Sequence, residues 1–368
     1  MKEMTRRAFL KVAGGAAAGG IAATAGLELP FIPAARAQGL RKVRFTLPWI
    51  PHGGYTHIFV AKKLGFWEKR GLDVSIDRGF GSGEVCKTLG LEKYEFGEID
   101  IGVMINCIGK QMDLMALACF SPRSPVGIFS LKEKGIRRPK DLEGRRVAFT
   151  PGSGDFQLWP ALVKAAGIDD GKVTKAFMGA EALLKAFISK EVDAAGNFYG
   201  SIAPTVWAHG QDLDMMLYDD YGVKMYSLAV ASQGKRVRQE PEVCAKFVEG
   251  TMEGLAYTYL NPERSIDVHL EAVREYKGAP TGRDVVRHGQ GIMTAMGIVP
   301  EVERNGLGWM DPEMVKVTVE NVVRYMGLKE APPLEKIYTN QFAGTIKLTP
   351  AQWRQVQQNV ARYIPRKA

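Results

Sequence analysis

The sequence predicts an α/β fold with two lobes, in which each lobe is a mixed sheet flanked by helices and the C-terminal part is helical. Three observations support this prediction. Residues 43–76 have the pattern of a strand, a glycine-rich turn, a helix and a second strand. The same strand–turn–helix order returns at 146–166, after a Pro-rich break at 121–125. The chain has 368 residues, which is enough for two domains of the usual size.

The first of these units places a turn beyond the end of its first strand. Residues 43–47 alternate apolar and polar side chains, which is typical of a strand, and apolar residues then recur at helical spacing over 55–66. The turn between them, 48–54, is rich in Pro and Gly. In open α/β sheets, ligands bind beyond the carboxyl ends of the strands. We therefore expect this turn to form one wall of a small-molecule site.

Two crossovers are predicted to divide the chain into lobes. The break at 121–125 leads out of the first lobe, and a strand at 227–231 leads back to it. The first lobe then comprises residues 38–122 and 232–368, with the helical C-terminal part packed on it, and the second lobe comprises residues 123–231.

Among the shorter segments, residues 100–104 are predicted to form the end of a third strand. The clearest C-terminal helices are predicted at 242–260, 265–276 and 312–326.

The first 37 residues have the pattern of an export signal. Residues 5–11 form a twin-arginine motif, an Ala/Gly-rich apolar run covers 12–29, and a small-x-small cleavage site lies at 35–37. An amphipathic N-terminal helix is the alternative, but it does not account for the order of the basic, apolar and cleavage regions. We therefore expect the twin-arginine translocase to export the chain to the periplasm, with cleavage after about Ala37. No other stretch is apolar for long enough to span a membrane.

The composition argues against several classes of function. The formal net charge is +9, and the predicted signal holds five basic and two acidic residues, which leaves about +6 for the rest. The basic residues form no block, so no nucleic-acid partner is expected. The five histidines are scattered and neither G-x-S-x-G nor H-E-x-x-H occurs, so no catalytic residue, metal site or cofactor is predicted. The cysteines lack C-x-x-C spacing and indicate no disulfide connectivity; they are Cys86, Cys107, Cys119 and Cys244.

The order of several motifs resembles that of a known family, the periplasmic solute-binding proteins that serve ABC importers of alkanesulfonates, nitrate and thiamine precursors. The resemblance covers residues 43–231 well and the helical tail loosely. Each motif is weak alone, and the ordered set is specific for the family but not for the ligand. The motifs, in chain order, are Trp49-x-Pro51, VAKKLGFW at 60–67, GLDV at 71–74, RPKDLEGRRVA at 138–148, GSG at 152–154 and DAAGN at 193–197.

This resemblance implies a type II periplasmic binding protein, whose two lobes close on a small-molecule ligand and pass it to an ABC transporter permease. We expect a monomer that is not an enzyme. The sequence departs from the pyrimidine-synthesising branch, because Tyr55 stands where that branch has a histidine and its cysteine-rich motif is absent. A pyrimidine-precursor biosynthetic enzyme is therefore a disfavoured alternative. A sensor subunit that presents the ligand to a membrane receptor is an alternative that stays open.

The candidate ligand-binding residues follow the ends of predicted strands. Trp49 offers an aromatic face for stacking on a flat ligand, although it could equally cover the sheet core. Glu84 and Asp155 lie near helix starts, where a carboxylate is also an ordinary dipole partner or cap. At least one of Phe198 and Tyr199 is expected to face the cleft, because neighbours on an extended chain point to opposite sides. The full predicted set is Trp49, His52, Tyr55, Ser82, Glu84, Asn106, Ser153, Asp155, Asn197, Phe198 and Tyr199.

The aromatic and carboxylate residues of this set favour a heteroaromatic ligand that bears an amine, such as a thiamine-type pyrimidine. A receptor for a sulfonate, nitrate or an aromatic acid is the alternative within the same family. A small arginine-lined pocket would suit those anions, and the predicted turns contain no arginine. Backbone N–H groups at helix N-termini can also bind an anion, so this alternative stays open.

Overall fold

The computed structural model describes residues 39–364, in which strands and helices alternate. The predicted export signal, residues 1–37, lies outside the described residues. Over the described range, no helix is both long enough and apolar enough to cross a membrane. The strands are β1 Arg41–Thr46, β2 Leu72–Asp77, β3 Phe96–Asp100, β4 Leu114–Cys119, β5 Val126–Leu131, β6 Arg146–Phe149, β7 Thr174–Phe177, β8 Ala194–Phe198, β9 Leu213–Leu217 and β10 Leu228–Gln233. The helices are α1 Thr56–Lys63, α2 Ser82–Gly90, α3 Ile101–Ile108, α4 Gly154–Ala166, α5 Ala180–Ile188, α6 Tyr199–Ala208, α7 Gly234–Gln239, α8 Pro241–Leu260, α9 Pro262–Ala272, α10 Arg274–Gly278, α11 Gly282–Gly297, α12 Pro300–Asn305, α13 Pro312–Met326, α14 Leu334–Ile337 and α15 Pro350–Val360.

The strands form two five-stranded mixed sheets with the same internal pattern, in the orders β2-β1-β3-β10-β4 and β7-β6-β8-β5-β9. In the first sheet, β1 pairs in parallel with β2 and β3, and β10 runs antiparallel between β3 and β4. In the second sheet, β6 pairs in parallel with β7 and β8, and β5 runs antiparallel between β8 and β9. The antiparallel strand of each sheet is therefore the first strand that the chain forms after crossing from the other sheet.

The predicted α/β architecture of two mixed sheets flanked by helices is confirmed, and one local prediction is wrong. Strand β3 ends at Asp100, and the next residues form α3 instead of extending the strand to 104. The cause is an N-cap, because the Asp100 carboxylate accepts a hydrogen bond from the N–H of Val103 at 3.2 Å. The sequence patterns also do not predict β7 or α11.

The C-terminal helices contact elements that belong to both sheets. Helix α13 packs against α3 and α4, and helix α11 packs against α6 and against the short helical turn Gly53–Tyr55. One apolar core cluster combines Ile99 of the first sheet with Val147 and Phe149 of the second. The C-terminal helices, which are expected to pack on the first lobe, therefore also contact α4 and α6, and these two helices follow strands of the second sheet.

Helix α8 covers the first sheet through a group of stacked aromatic rings. The ring of Phe247 stacks on Phe96 of β3, with centroids 4.1 Å apart, and on Trp67, with centroids 5.3 Å apart. The indole N–H of Trp67 donates a hydrogen bond to the carbonyl of Phe247 at 3.0 Å. Aromatic side chains bury a large apolar area, so this group fixes α8 and the turn after α1 on the sheet.

Candidate functional site

A cleft lies where the carboxyl ends of strands from both sheets meet. Its walls come from the turn after β1, the loop before α2, the first turn of α4 and the junction of β8 with α6, and the start of β10 also contributes. The cleft holds about 310 Å³, including its opening to solvent. This is the position at which open α/β sheets bind ligands, because the turns there expose helix N-termini and side chains together.

Most of the predicted ligand-binding residues line this cleft. They are Trp49, His52, Tyr55, Ser82, Ser153, Asp155, Asn197 and Phe198. Five lining residues are not predicted from the sequence. They are Pro48, Gly81, Gly154, Ser201 and Leu228. Pro48 and the two glycines belong to turns that the sequence already marks, whereas Ser201 lies inside α6 and Leu228 begins a strand that returns from the other sheet.

Three predicted residues lie outside the cleft. Glu84 is exposed on the first turn of α2, and Asn106 is buried on α3. Tyr199 is buried in the apolar core of the second sheet, where its ring lies 6.4 Å from that of Phe129. Its neighbour Phe198 lines the cleft, so the two adjacent aromatic residues do point to different surroundings.

The carboxyl group of Asp155 is buried in the cleft, and its pKa is strongly raised. Asp155 is 3% exposed, and its Oδ2 has no hydrogen-bond partner within residues 39–364. Burial raises the pKa of Asp155 to about 7, and the polar groups beside it, the Ser153 side chain and N–H groups at the start of α4, oppose that rise. The Ser201 hydroxyl in the same cleft also lacks a partner over that range. These two oxygen atoms can therefore form hydrogen bonds with a ligand.

His52 contributes a neutral ring to the cleft instead of a charge. Its Nδ1 accepts a hydrogen bond from the N–H of Gly54 at 3.0 Å, and its ring lies 4.3 Å from the ring of Tyr55. Burial and, to a smaller extent, nearby His269 lower the pKa of His52 to about 3, so the ring is uncharged at neutral pH. His52 therefore holds the turn that carries Tyr55 in place.

Three other polar side chains of the cleft, those of Ser82, Ser153 and Asn197, already take part in local hydrogen bonds. No Lys or Arg lines the cleft, and within residues 39–364 no three His, Cys, Asp or Glu side chains converge to hold a metal ion. The local bonds are Asp100 N–H to Ser82 Oγ at 3.1 Å, Ser153 Oγ to the Thr150 carbonyl at 2.7 Å, and Phe198 N–H to Asn197 Oδ1 at 2.8 Å.

A second cavity, of about 260 Å³, lies on the other side of the Gly53–Tyr55 turn, among α1, α8 and α11. Gln290 and Thr258 are among its polar lining residues, and none of its lining residues is shared with the cleft. A ligand in this cavity would therefore be distinguished from one in the cleft by the residues that it contacts.

Glu98 of β3 is a buried acid near the cleft but not in its lining. Its side chain is fully buried, and neither carboxyl oxygen has a hydrogen-bond partner within residues 39–364. Burial raises the pKa of Glu98 well above its usual range. A group whose folded pKa exceeds its unfolded pKa makes the protein less stable as the pH rises above the unfolded value, because only the unfolded state has released the proton.

We therefore expect Glu98→Gln to stabilise the protein at pH 8 by about 1–3 kcal/mol, since an amide carries no ionisation penalty and keeps the side-chain shape. The gain should shrink toward pH 5. Urea unfolding at both pH values measures it, and the exposed Glu84→Gln variant is the control, with an expected change within about 0.5 kcal/mol. A Glu98→Gln variant that is less stable than the wild type at pH 8 would contradict the expected cost of burying the Glu98 carboxyl group.

Several solved structures have the same fold as this chain, and they define its fold class. The alkanesulfonate-binding protein SsuA of Xanthomonas axonopodis pv. citri, bound to MOPS, aligns over 82% of this chain and 100% of its own, with a TM-score of 0.63 and 13% identity. The periplasmic nitrate-binding protein NrtA of Synechocystis PCC 6803 aligns over 89% of this chain and 91% of its own, with a TM-score of 0.58 and 15% identity. The two sheets and their cleft therefore have the fold of the periplasmic binding proteins.

Within that class, the chain belongs to the NMT1/THI5 like family, whose model it matches over residues 53–265. A binding protein of Brucella abortus (strain 2308) is 29% identical over 214 residues, which are 57% of this chain and 65% of that protein. The match thus spans just under two thirds of that relative's length.

Two other relatives are named after the ligand that they bind. A formylaminopyrimidine-binding protein of Halalkalibacterium halodurans is 27% identical over 63% of this chain and 71% of its own. The riboflavin-binding protein RibY of Chloroflexus aurantiacus is 24% identical over 84% of this chain and 88% of its own. This chain is also similar to a 4-amino-5-hydroxymethyl-2-methylpyrimidine phosphate synthase of Legionella pneumophila, which is 23% identical over 63% of this chain and 73% of its own.

Proposed function

We propose that this protein is an extracytoplasmic substrate-binding protein, which captures a small heteroaromatic solute bearing an amine and delivers it to the permease of an ABC importer. In this proposal the two sheets and their helices act as two lobes, residues 38–122 with 232–368 and residues 123–231, that close on the ligand. The export signal predicted at residues 1–37 supports a location outside the cytoplasm, reached through the twin-arginine translocase.

The observation that carries the proposal is the combination of an unpartnered carboxyl oxygen with aromatic side chains in one cleft. Asp155 Oδ2 and Ser201 Oγ are buried and unpartnered within residues 39–364, and Trp49, Tyr55 and Phe198 line the same cleft. A carboxylate accepts hydrogen bonds from amine or ring N–H donors, and aromatic faces stack on a flat ring. A heteroaromatic amine would satisfy both kinds of group at once.

The charge of the cleft favours such a ligand over a bare anion. No Lys or Arg lines it, and His52 is neutral, so no side chain in the lining carries a positive charge to offset the negative charge of a sulfonate or nitrate. An anion would also lie against Asp155, which becomes negative as the pH rises above about 7. Two relatives named for a pyrimidine and for riboflavin agree with a nitrogen-containing ring. Sulfonate, nitrate and aromatic acids are the alternative ligands.

A thermal-shift screen of the purified protein tests the ligand class. We expect amine-bearing pyrimidines or flavins to raise the melting temperature, because a ligand at a hundred times its Kd stabilises the folded state by about 2.7 kcal/mol. Alkanesulfonates, nitrate and benzoates serve as the comparison set, and we expect no shift with them. A shift with these anions alone would contradict the proposed ligand class.

A pyrimidine-forming enzyme is the second candidate, and it is favoured by relatives that are named as synthases, such as that of Legionella pneumophila. Incubating the protein with candidate precursors and measuring pyrimidine products by mass spectrometry separates the two functions. The proposal of a binding protein requires that the ligand is recovered unchanged.

A further inference from the structure

One ion pair joins the two lobes proposed above. Arg78 directly follows β2 of the first sheet, and Glu181 lies in the first turn of α5, between β7 and β8 of the second sheet. Arg78 Nη1 donates a hydrogen bond to Glu181 Oε1 at 2.7 Å. Among residues 39–364, every other ion pair lies within a single lobe. The chain therefore provides a charged link between the lobes that needs no ligand.

This ion pair lies next to the cleft but outside its lining. Gly81, three residues after Arg78, lines the cleft, whereas neither Arg78 nor Glu181 does. The same loop contacts the second lobe again at Gly83, whose N–H donates to the carbonyl of Gly152 at 3.2 Å. The loop after β2 is thus joined to the second lobe at two points. The ion pair is the point that a substitution can remove without changing any residue that lines the cleft.

The surroundings of both charged groups favour their pairing. The guanidinium of Arg78 lies 4.9 Å from the centroid of the Phe80 ring, an arrangement that limits the conformations of the Arg78 side chain. Glu181 is in the first turn of its helix, where the helix dipole stabilises a negative charge. The hydrogen bond from Arg78 lowers the pKa of Glu181, so the carboxyl group is ionised at neutral pH.

We propose that Arg78 and Glu181 form a latch, which stabilises the arrangement in which the two lobes are closed over the cleft. The latch rests on the proposed function, in which the lobes open and close. Opening would separate the two charges and return both to water. Because the two side chains are 38% and 67% exposed, we expect the pair to raise the ratio of closed to open protein by only about twofold to fivefold. The contribution should fall as salt screens the charges.

The latch would act on a bound ligand through the lobes alone. A ligand that binds the closed form gains affinity in proportion to the share of the protein that is closed. Since neither Arg78 nor Glu181 lines the cleft, this gain is the same for every ligand that the closed form binds. The ion pair therefore contributes to affinity and not to selectivity.

The test measures the distance between the lobes in the ligand-free protein, so it needs no knowledge of the ligand. Spin labels are attached through Leu91→Cys on the first lobe and Thr174→Cys on the second, both at exposed positions. Cys107→Ala is included, because Cys107 is the half-buried native cysteine and the other three are buried. Pulsed electron paramagnetic resonance then gives the shares of short and long distances at low salt and in about 1 M NaCl.

We expect Arg78→Gln and Glu181→Gln each to lower the ratio of short to long distances by about twofold to fivefold at low salt. The double variant should lose no more than either single variant, and the exchange of the two residues, Arg78→Glu with Glu181→Arg, should restore most of the ratio. High salt should lower the ratio only where both charges are present. Lys62→Gln is the matched control and should have no effect, because Lys62 pairs with Asp73 inside the first lobe at 2.8 Å and both side chains are about half exposed.

Two outcomes would overturn the proposal, and they differ in their meaning for the proposed function. Two distances whose ratio the single variants leave unchanged, or whose losses add in the double variant, would remove the latch and leave the proposed closure intact. A single distance in every variant and at every salt concentration would show that the lobes do not move, and it would contradict both the latch and the closure.

Discussion

Asp155→Asn is expected to weaken the binding of an amine-bearing heteroaromatic ligand by roughly a hundredfold, which is about 3 kcal/mol. The substitution keeps the shape of the side chain but removes the carboxylate that would accept a charge-assisted hydrogen bond from the ligand. The same substitution should raise the melting temperature of the ligand-free protein at pH 8.

The sign of that stability change follows from the pKa of Asp155, which burial raises from 3.8 to about 7 in the folded state. The folded protein therefore holds a proton that the unfolded chain releases between about pH 4 and pH 7, so stability falls as the pH rises through this window and stays reduced above it. Asparagine has no such loss. A residue that costs stability and supports binding is typical of a functional site.

Isothermal titration calorimetry at several pH values measures the binding effect. For the wild type, Kd should fall as the pH rises toward 7 and then level off, because the ligand prefers the ionised carboxyl group. The variant should lack this pH dependence. Asp284→Asn is the matched control, since Asp284 also lies in the first turn of a helix, α11, but is exposed there. Equal affinities of the wild type and Asp155→Asn would remove the observation on which the proposed function rests.

Gly81→Ala is expected to weaken ligand binding by about tenfold to a hundredfold, because it opposes closure of the cleft. Gly81 has a φ of +114°, and a Cβ there would lie 2.3 Å from the carbonyl oxygen of Gly152 on the other side of the cleft. A backbone hydrogen bond also joins the two turns, because the N–H of Gly83 donates to the same carbonyl oxygen at 3.2 Å. A methyl group at residue 81 would hold these two turns apart.

Gly152→Ala is the matched control for this prediction. Gly152 also has a positive φ, +79°, but a Cβ at this position would meet nothing nearer than the carbonyl oxygen of Phe80 at 3.8 Å. It should therefore lose stability through backbone strain of about 1–2 kcal/mol and retain most of its affinity. Calorimetry and urea unfolding on both variants separate the two effects. If the two alanine variants bind ligand equally well, closure at this contact does not contribute to affinity.

The strand–turn–helix order made much of the fold and the cleft predictable. Trp49, Tyr55, Ser153 and Asp155 all follow the end of a strand that the local pattern marks, and neighbouring parallel strands end at the same edge of a sheet. Which turns face each other depends on how the two sheets pack, and no local pattern of residues contains that information.

Helix α11 illustrates what the local pattern could not predict. Its sequence contains several glycines, which disfavour helix formation when considered alone. In the fold, a Cβ at Gly289 would lie 3.0 Å from the carbonyl oxygen of Gly200 and 3.2 Å from the Cα of Gly53, so glycine is needed for close packing. The tertiary contact, not the local propensity, therefore explains this helix.

The site residues that were not predicted have a similar origin. Ser201 lies within α6, away from the strand end that the pattern marks, and Leu228 reaches the cleft only because β10 returns to the first sheet. Conversely, Glu84 is near a correctly predicted turn but on the exposed face of its helix. Local sequence locates a turn well, but the direction of each side chain depends on the helix phase and on the opposing wall.

The central claim is that one small ligand binds between the turns of both sheets, with Asp155 as its polar partner. A crystal structure of the protein with the ligand found by thermal shift tests this claim most directly. We expect ligand density in the cleft, with a donor nitrogen within hydrogen-bond distance of Asp155 Oδ2 and a ring against Trp49, Tyr55 or Phe198. Density instead in the second cavity, beside Thr258 and Gln290, or on the outer surface would contradict the claim.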